Sequence, residues 1–326
     1  MHDMVEMART GQAGLWDITP DLAFQRHAIV NVFFYGTPGA GDRSWVLIDA
    51  GLPGSAGRIA RGAAERFGAH ARPSAIILTH GHFDHVGAVR ELSERWDTPV
   101  YAHPLELPYI TGRSPYPPPD PTVGGGAMAR MSPLYPRGPF DGGDEVRALP
   151  SNGTVPHMPG WRWIHTPGHS PGHVSLFRDA DRLLVAGDAF VTTKQESAIA
   201  VLSQRPEIHG PPKYYTTDWV AARRSVETLA GLDPEILATG HGRPLSGPAA
   251  RAGLWELARG FQWEAVPMDG RYVREPAMAD EQGLLSVPPP VPDDFPKVML
   301  GVAAVAAGVV AYRRRQRGSR RKTVRA

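Results

Sequence analysis

The chain has 326 residues, 42% hydrophobic and 21% charged, which is apolar material enough for one large packed domain or two ordinary ones. It holds 13 histidines and no cysteine. That excludes disulfides, thiolate metal sites and cysteine nucleophiles, and leaves imidazole and carboxylate as the strong metal ligands. The net charge of +2 is uneven: residues 313–326 carry eight basic groups and no acid, so residues 1–312 carry −6 and do not form a basic body that grips nucleic acid.

From the amino end, "MHDMVEMART" shows no basic start followed by an apolar run, so no signal peptide is expected and a cytoplasmic location is assigned. Short runs rich in β-branched or aromatic residues predict strands at 29–35, 45–49, 75–78, 99–103, 161–166, 174–177, 183–187 and 235–239. Helical spacing lies between some of them. Ile59, Ala63 and Phe67 share one face, as do Val86, Val89, Leu92 and Trp96, with Glu91 and Arg95 spaced for an ion pair. Trp219, Ala222, Val226 and Leu229 form a third such face, with Asp218 as its N-cap and Gly231 near its C-cap.

Residues 104–159 are rich in proline and glycine, and a structureless loop of that length is uncommon inside a domain. Tyr109, Tyr116, Met128, Met131, Tyr135 and Phe140 make it too apolar for a spacer, so it reads as a lid over a site. The stretch 266–297, which contains "VPPPVPDDFP" at 287–296, reads as a Pro-rich linker. Residues 298–312 form an uncharged run that reads as a short apolar helix, followed by the basic tail 313–326. Fifteen helical residues span about 22 Å, short of the ~30 Å hydrocarbon core. Attachment to an anionic membrane surface through 298–326 is therefore expected ahead of spanning or a plain basic tail.

The chemistry concentrates in "IILTHGHFDHVGAV", residues 76–89, where His80, His82, Asp84 and His85 crowd one turn. An extended His-x-His puts two imidazoles on one side of the chain. A turn into a helix at Asp84 and His85 aims that pair at a neighbouring point, and Gly81 and Gly87 permit the turn. One such turn serves two metals if other ligands converge on it. "WIHTPGHSPGH" offers His169, "LLVAGDA" offers Asp188 and "ILATGHG" offers His241, each just past an apolar strand run, where loops of an α/β fold gather.

HxHxDH, TPGHSPGH, AGD and TGHG over about residues 20–260 resemble the metallo-β-lactamase-fold hydrolase superfamily. The resemblance implies a four-layer αββα sandwich across residues 1–265, with 104–159 as an insertion. It implies that His80, His82 and His169 hold one divalent metal, that Asp84, His85 and His241 hold a second, and that Asp188 bridges both. Zinc is the first choice, with iron or manganese as alternatives. The expected chemistry is attack by a bridging hydroxide, with Asp188 and Asp84 as the catalytic carboxylates. The complete ligand set resembles glyoxalase II-type thioesterases, lactonases and phosphodiesterases of the fold, and argues against true β-lactamases, which as a family lack the bridging aspartate.

The expected function is hydrolysis of a small ester, thioester or lactone. A phosphodiesterase or nuclease, or a non-catalytic membrane-tethered binding protein, is the alternative. The 83 residues between His85 and His169 exceed what a compact glyoxalase II needs, which sets glutathione specificity aside and points to a distinct pocket lid. Lys194, Lys213, Tyr214 and Tyr215 are candidate substrate contacts, as donors to a carboxylate, phosphate or oxyanion.

Overall fold

The computed structural model describes residues 9–10 and 12–293. Eight strands form a first sheet in chain order: β1 (Arg9–Thr10), β2 (Leu15–Thr19), β3 (Leu22–His27), β4 (Val30–Tyr35), β5 (Val46–Ile48), β6 (Ala75–Ile77), β7 (Val100–Ala102) and β8 (Val146–Ala148). Pairing is antiparallel through β5 and parallel from β5 to β8. The change comes where the connections become long enough to cross over, since parallel neighbours cannot be joined by a tight turn. Helix α1 (Ala56–Phe67) makes the first crossover, and α2 (Phe83–Val86) with α3 (Val89–Trp96) the second.

Within the insertion lie two short helices, α4 (Leu107–Ile110) and α5 (Ala127–Met131). The second sheet contains β9 (Trp161–His165), β10 (Val174–Arg178), β11 (Leu183–Val185), β12 (Ile236–Ala238) and β13 (Leu245–Ser246), ordered β13-β12-β11-β10-β9. In it β11 and β12 pair in parallel; between them run α6 (Ala198–Ser203) and α7 (Trp219–Gly231), and α8 (Gly247–Glu264) follows β13.

Three apolar clusters define the layers. One joins α1 and α3 to the outer face of the first sheet, through Ile59, Ala63, Phe67, Leu92 and Trp96. A second fills the space between the sheets, with Phe33, Ile48 and Ile77 meeting Leu176, Leu183 and Val185. The third joins the second sheet to α7 and α8, through Leu184, Val226, Leu229, Leu254 and Phe261. The order is helices, sheet, sheet, helices, which is the αββα sandwich. The helical faces expected from spacing are the buried ones, because a surface helix is stabilised mainly by the apolar stripe it removes from water. The ion pair on α3 forms between Arg90 and Glu94, not between Glu91 and Arg95.

The insertion has few regular elements, yet Tyr109, Tyr116 and Ala129 are fully buried. The stretch expected to open a linker at residue 266 differs: it packs across the insertion. Tyr272 is buried and donates to the Pro118 carbonyl at 2.6 Å, and the Arg271 amide donates to Asp120 Oδ2 at 2.5 Å. A hairpin of β14 (Met278–Asp280) and β15 (Gly283–Ser286) follows, whose Leu284 amide donates to Ser114 Oγ at 3.0 Å. Composition hid this, because the anchoring residues are single side chains in a proline- and charge-rich run. The compact unit extends to Pro289. Among the described residues no helix is long and apolar enough to cross a membrane, and the 298–312 segment and the basic tail lie outside them.

Candidate metal centre

The carboxyl ends of the parallel strands β5 and β6 in the first sheet and β11 and β12 in the second lead into loops that meet at one place. The loop after β6 delivers His80 and His82, and α2 delivers Asp84 and His85. The β9–β10 turn delivers His169, and the loops after β11 and β12 deliver Asp188 and His241. All seven side chains are buried. Their donor atoms fall into three groups, each within 4.8 Å: His80, His82 and His169; His80, His85 and Asp188; Asp84, His85 and His241.

The turn is shaped by close approach, not by left-handed backbone. Gly87 has φ −57°, and a Cβ there would lie 2.2 Å from the Pro53 nitrogen.

Three of the rings, His80, His85 and His241, are aimed by their second nitrogen. Asp49, fully buried after β5, accepts from His85 Nδ1 at 2.8 Å and from the Thr79 amide and hydroxyl. Because that hydroxyl donates to Asp49, it accepts from His80 Nδ1 at 3.1 Å. His241 Nδ1 donates to the Ile29 carbonyl at 2.6 Å. These bonds leave the Nε2 lone pairs of His80, His85 and His241 facing inward, the arrangement that outer partners give metal-binding imidazoles. His173 supports the carboxylate: its Nε2 accepts from the Asp188 amide at 2.8 Å, and its Nδ1 meets the Thr166 hydroxyl at 2.8 Å.

Electrostatics favour the ligand forms of His80, His82, His169 and Asp188. Burial, then neighbouring imidazoles, holds His80 and His82 well below the ordinary histidine range, and burial brings His169 down to about 3. These rings are neutral, as coordination requires. Burial works to raise Asp188, but His241 and His85 outweigh it and hold the carboxyl well below the usual range. Burial works to lower His85 and His241, but Asp188, together with Asp49 for His85 and Asp84 for His241, outweighs it and raises both, so these two rings would release a proton as a cation binds.

The donor set fits divalent cations. His80 Nε2, His85 Nε2 and Asp188 Oδ1 are buried without a hydrogen-bond partner, a costly state for a cluster closed to water. His82 Nδ1 and His169 Nε2 face each other at 2.9 Å, and Asp188 Oδ2 lies 3.5 Å from His169 Nε2 and 3.0 Å from His241 Nε2. Nitrogen and oxygen donors without sulfur suit zinc, iron or manganese alike.

The four candidate substrate contacts divide. The Tyr215 ring stacks on His82 at 4.3 Å, and its hydroxyl donates to the Pro136 carbonyl at 3.3 Å. Tyr214 and Tyr215 join Phe83, Val123 and Ala129 in an apolar cluster, with Met128 and Tyr135 against it, so the insertion forms a wall beside His82. Burial and then Asp84 push both phenols up, so they stay protonated. Lys194 and Lys213 sit beside Glu196 rather than among the seven: the Lys213 amide donates to Glu196 Oε1 at 2.8 Å, and the charges felt by its ammonium are Glu196 and Lys194.

Sequence reasoning passed over Asp49, Thr79 and Glu106. Asp49 carried a usable signal, since "WVLIDAG" ends an apolar run in a polar residue and a glycine, like "LLVAGD" and "ILATGH".

Comparison with known proteins shows the family of the chain. The family model for the metallo-beta-lactamase superfamily matches residues 27–241. The chain is 53% identical over 230 residues to the probable metallo-hydrolase YflN of Bacillus subtilis (strain 168), covering 71% of this chain and 87% of that protein. It is 35% identical over 117 residues to the hydroxyacylglutathione hydrolase of Xylella fastidiosa (strain M23), covering 36% of this chain and 32% of that one. Among solved structures, the metallo-beta-lactamase family protein TTHA1429 from Thermus thermophilus shares the fold, with TM-score 0.52 at 20% identity over 76% of this chain and 81% of that one.

Proposed function

The chain belongs to the metallo-β-lactamase superfamily and is a hydrolase of it, and from that premise we propose that it cleaves a small ester, thioester or lactone with two divalent cations. The observation that carries this reading is the buried convergence of His80, His82, Asp84, His85, His169, Asp188 and His241, with three donor atoms left unpartnered. His80, His82 and His169 would hold one cation and Asp84, His85 and His241 the other, with Asp188 as a ligand to the pair. Bound there, the cations supply Lewis acidity and a water acidic enough to attack at neutral pH.

The protein's own groups do the rest. Asp84, whose Oδ2 lies 3.5 Å from His241 Nε2, would orient the attacking water and relay a proton to the leaving group through the carboxylate oxygen not engaged by the cation. The ring of Tyr215 against His82 and the neighbouring Phe83, Tyr135 and Tyr214 give the acyl part an apolar wall and keep water out. That wall suits an uncharged acyl group better than a phosphodiester. The relative named for hydrolysing a hydroxyacyl derivative of glutathione supports acyl transfer to water, over a third of this chain.

The test is a hydrolysis panel on metal-loaded protein: an acyl-glutathione thioester, an acyl-homoserine lactone, an aryl ester, an aryl phosphodiester and a β-lactam. Turnover of one of the acyl substrates, falling more than about 100-fold in Asp188→Ala, is expected. Turnover confined to the phosphodiester or the β-lactam would overturn the assignment.

A further inference from the structure

We infer that Glu106 is a positioning residue that sets the spacing between the His80–His82 loop and the His169 loop, and through it the affinity of one cation of the pair. This deepens the reading above and rests on the same metal centre. Glu106 ends a single 3-10 turn, Pro104–Glu106, at the start of the insertion, and its side chain is fully buried. Its two oxygens serve different loops. Oε1 accepts from Ser170 Oγ and from the Gly172 amide, both at 2.7 Å. Oε2 accepts from the Gly81 amide at 3.0 Å and from the Tyr116 hydroxyl.

Gly81 stands between His80 and His82, and Ser170 follows His169. One carboxylate thus bridges the two loops that deliver the three imidazoles of the first group, and it bonds to neither α2 nor the His241 loop.

The bridge exists because positions 81 and 172 lack side chains. A Cβ on Gly172 would lie 2.8 Å from Glu106 Cγ, and one on Gly81 would lie 2.6 Å from the Tyr116 hydroxyl oxygen. Tyr116 adds a second tie, its ring 4.6 Å from that of His82. Every hydrogen-bonding partner of this carboxylate is a neutral donor. A buried carboxylate without a cationic partner costs stability, and a buried apolar residue would avoid that cost. What an apolar residue or an amide lacks is the capacity to accept from four donors at once, two of them backbone N–H groups that cannot turn away. Loop spacing at the metal site is what that geometry provides.

The experiment uses Glu106→Gln in the full chain, with Zn(II) titrated against a chromogenic chelator to resolve two affinities. The variant keeps the shape and places an amide NH₂ against either the Gly81 or the Gly172 N–H. The expected result is that one of the two affinities falls about 10–100-fold, the range for outer partners of metal ligands, while the other is unchanged. The ring signals of His80, His82 and His169 in NMR identify the weakened group. Tyr109→Phe, which alters a buried phenol without a partner beside Tyr116, should leave both affinities alone. Should Glu106→Gln fail to fold, Gly172→Ala decides, because its methyl displaces Glu106 without changing charge and should give the same selective loss.

Two unchanged affinities would overturn the inference. So would an equal fall in both affinities accompanied by loss of the melting transition of chelator-treated protein, which marks a general structural role. Wild-type protein that binds no divalent cation would overturn the metal reading as well, which separates the two failures.

Discussion

Gly240 stands between Thr239 and His241 where a side chain has no room. A Cβ there would lie 2.1 Å from Asp188 Oδ1 and 2.7 Å from His85 Cε1. Gly240→Ala should therefore displace the Asp188 carboxylate, whose oxygens lie 3.6 Å from His85 Nε2, 3.5 Å from His169 Nε2 and 3.0 Å from His241 Nε2, while leaving the layers of the sandwich intact. Hydrolysis and the weaker of two metal affinities are both expected to fall more than about 100-fold, and the melting point of chelator-treated protein to move by only a few degrees. Metal titration and calorimetry read the two effects separately. At this scale the seven donors were legible because each stands next to an apolar run and belongs to a recognisable pattern. Asp49 shared the signal of a polar residue closing an apolar run, but "WVLID" does not show that its partners are Thr79 and His85, 30 and 36 residues away. Glu106 could not be legible, since its donors at Gly81, Ser170 and Gly172 lie 25, 64 and 66 residues away.

Helix α7 is fixed to the site at its start. Asp218 accepts from the Ala221 amide at 2.9 Å, and the amides of Thr217 and Asp218 both donate to the Gly168 carbonyl, next to His169. Asp218→Ala removes the cap and should cost about 1 kcal/mol in urea denaturation, the usual worth of such a residue. Hydrolysis should stay within a few-fold, because the backbone bonds to Gly168 survive the change. The cap was legible from "TTDW" before a period of 3.6, as were eight of the strands from their β-branched and aromatic runs, which are mostly buried except in the edge strand β9. Strands β2 and β3 escaped notice because "LWDITPDLAFQRH" interleaves charged and polar residues, among them the buried Gln25. The strands β8, β13, β14 and β15, of two to four residues each, are too short for any period to register.

For the molecule as a whole, the question is what holds the insertion over the site. Its regular structure is slight, so its order comes from partners elsewhere. Glu106 anchors it to the ligand loops below, and the 266–286 strap holds it from the other side through Tyr272, Arg271 and Leu284. The Ala277 amide also donates to the Thr217 carbonyl at 3.1 Å, which ties the strap to the start of α7. A chain ending at residue 266 should be less stable than one ending at 289 by at least about 3 kcal/mol, the cost of losing a buried aromatic side chain. Limited proteolysis of the shorter chain should cut first between residues 112 and 143, where the turns of the insertion lose their cover. Equal midpoints in the two truncated chains would mean that 266–289 acts as the linker its composition suggests, and that Glu106 and the apolar wall alone order the insertion. A lower midpoint with unchanged metal affinity would divide the labour: the strap secures the cover, and the carboxylate beneath it secures the metal loops.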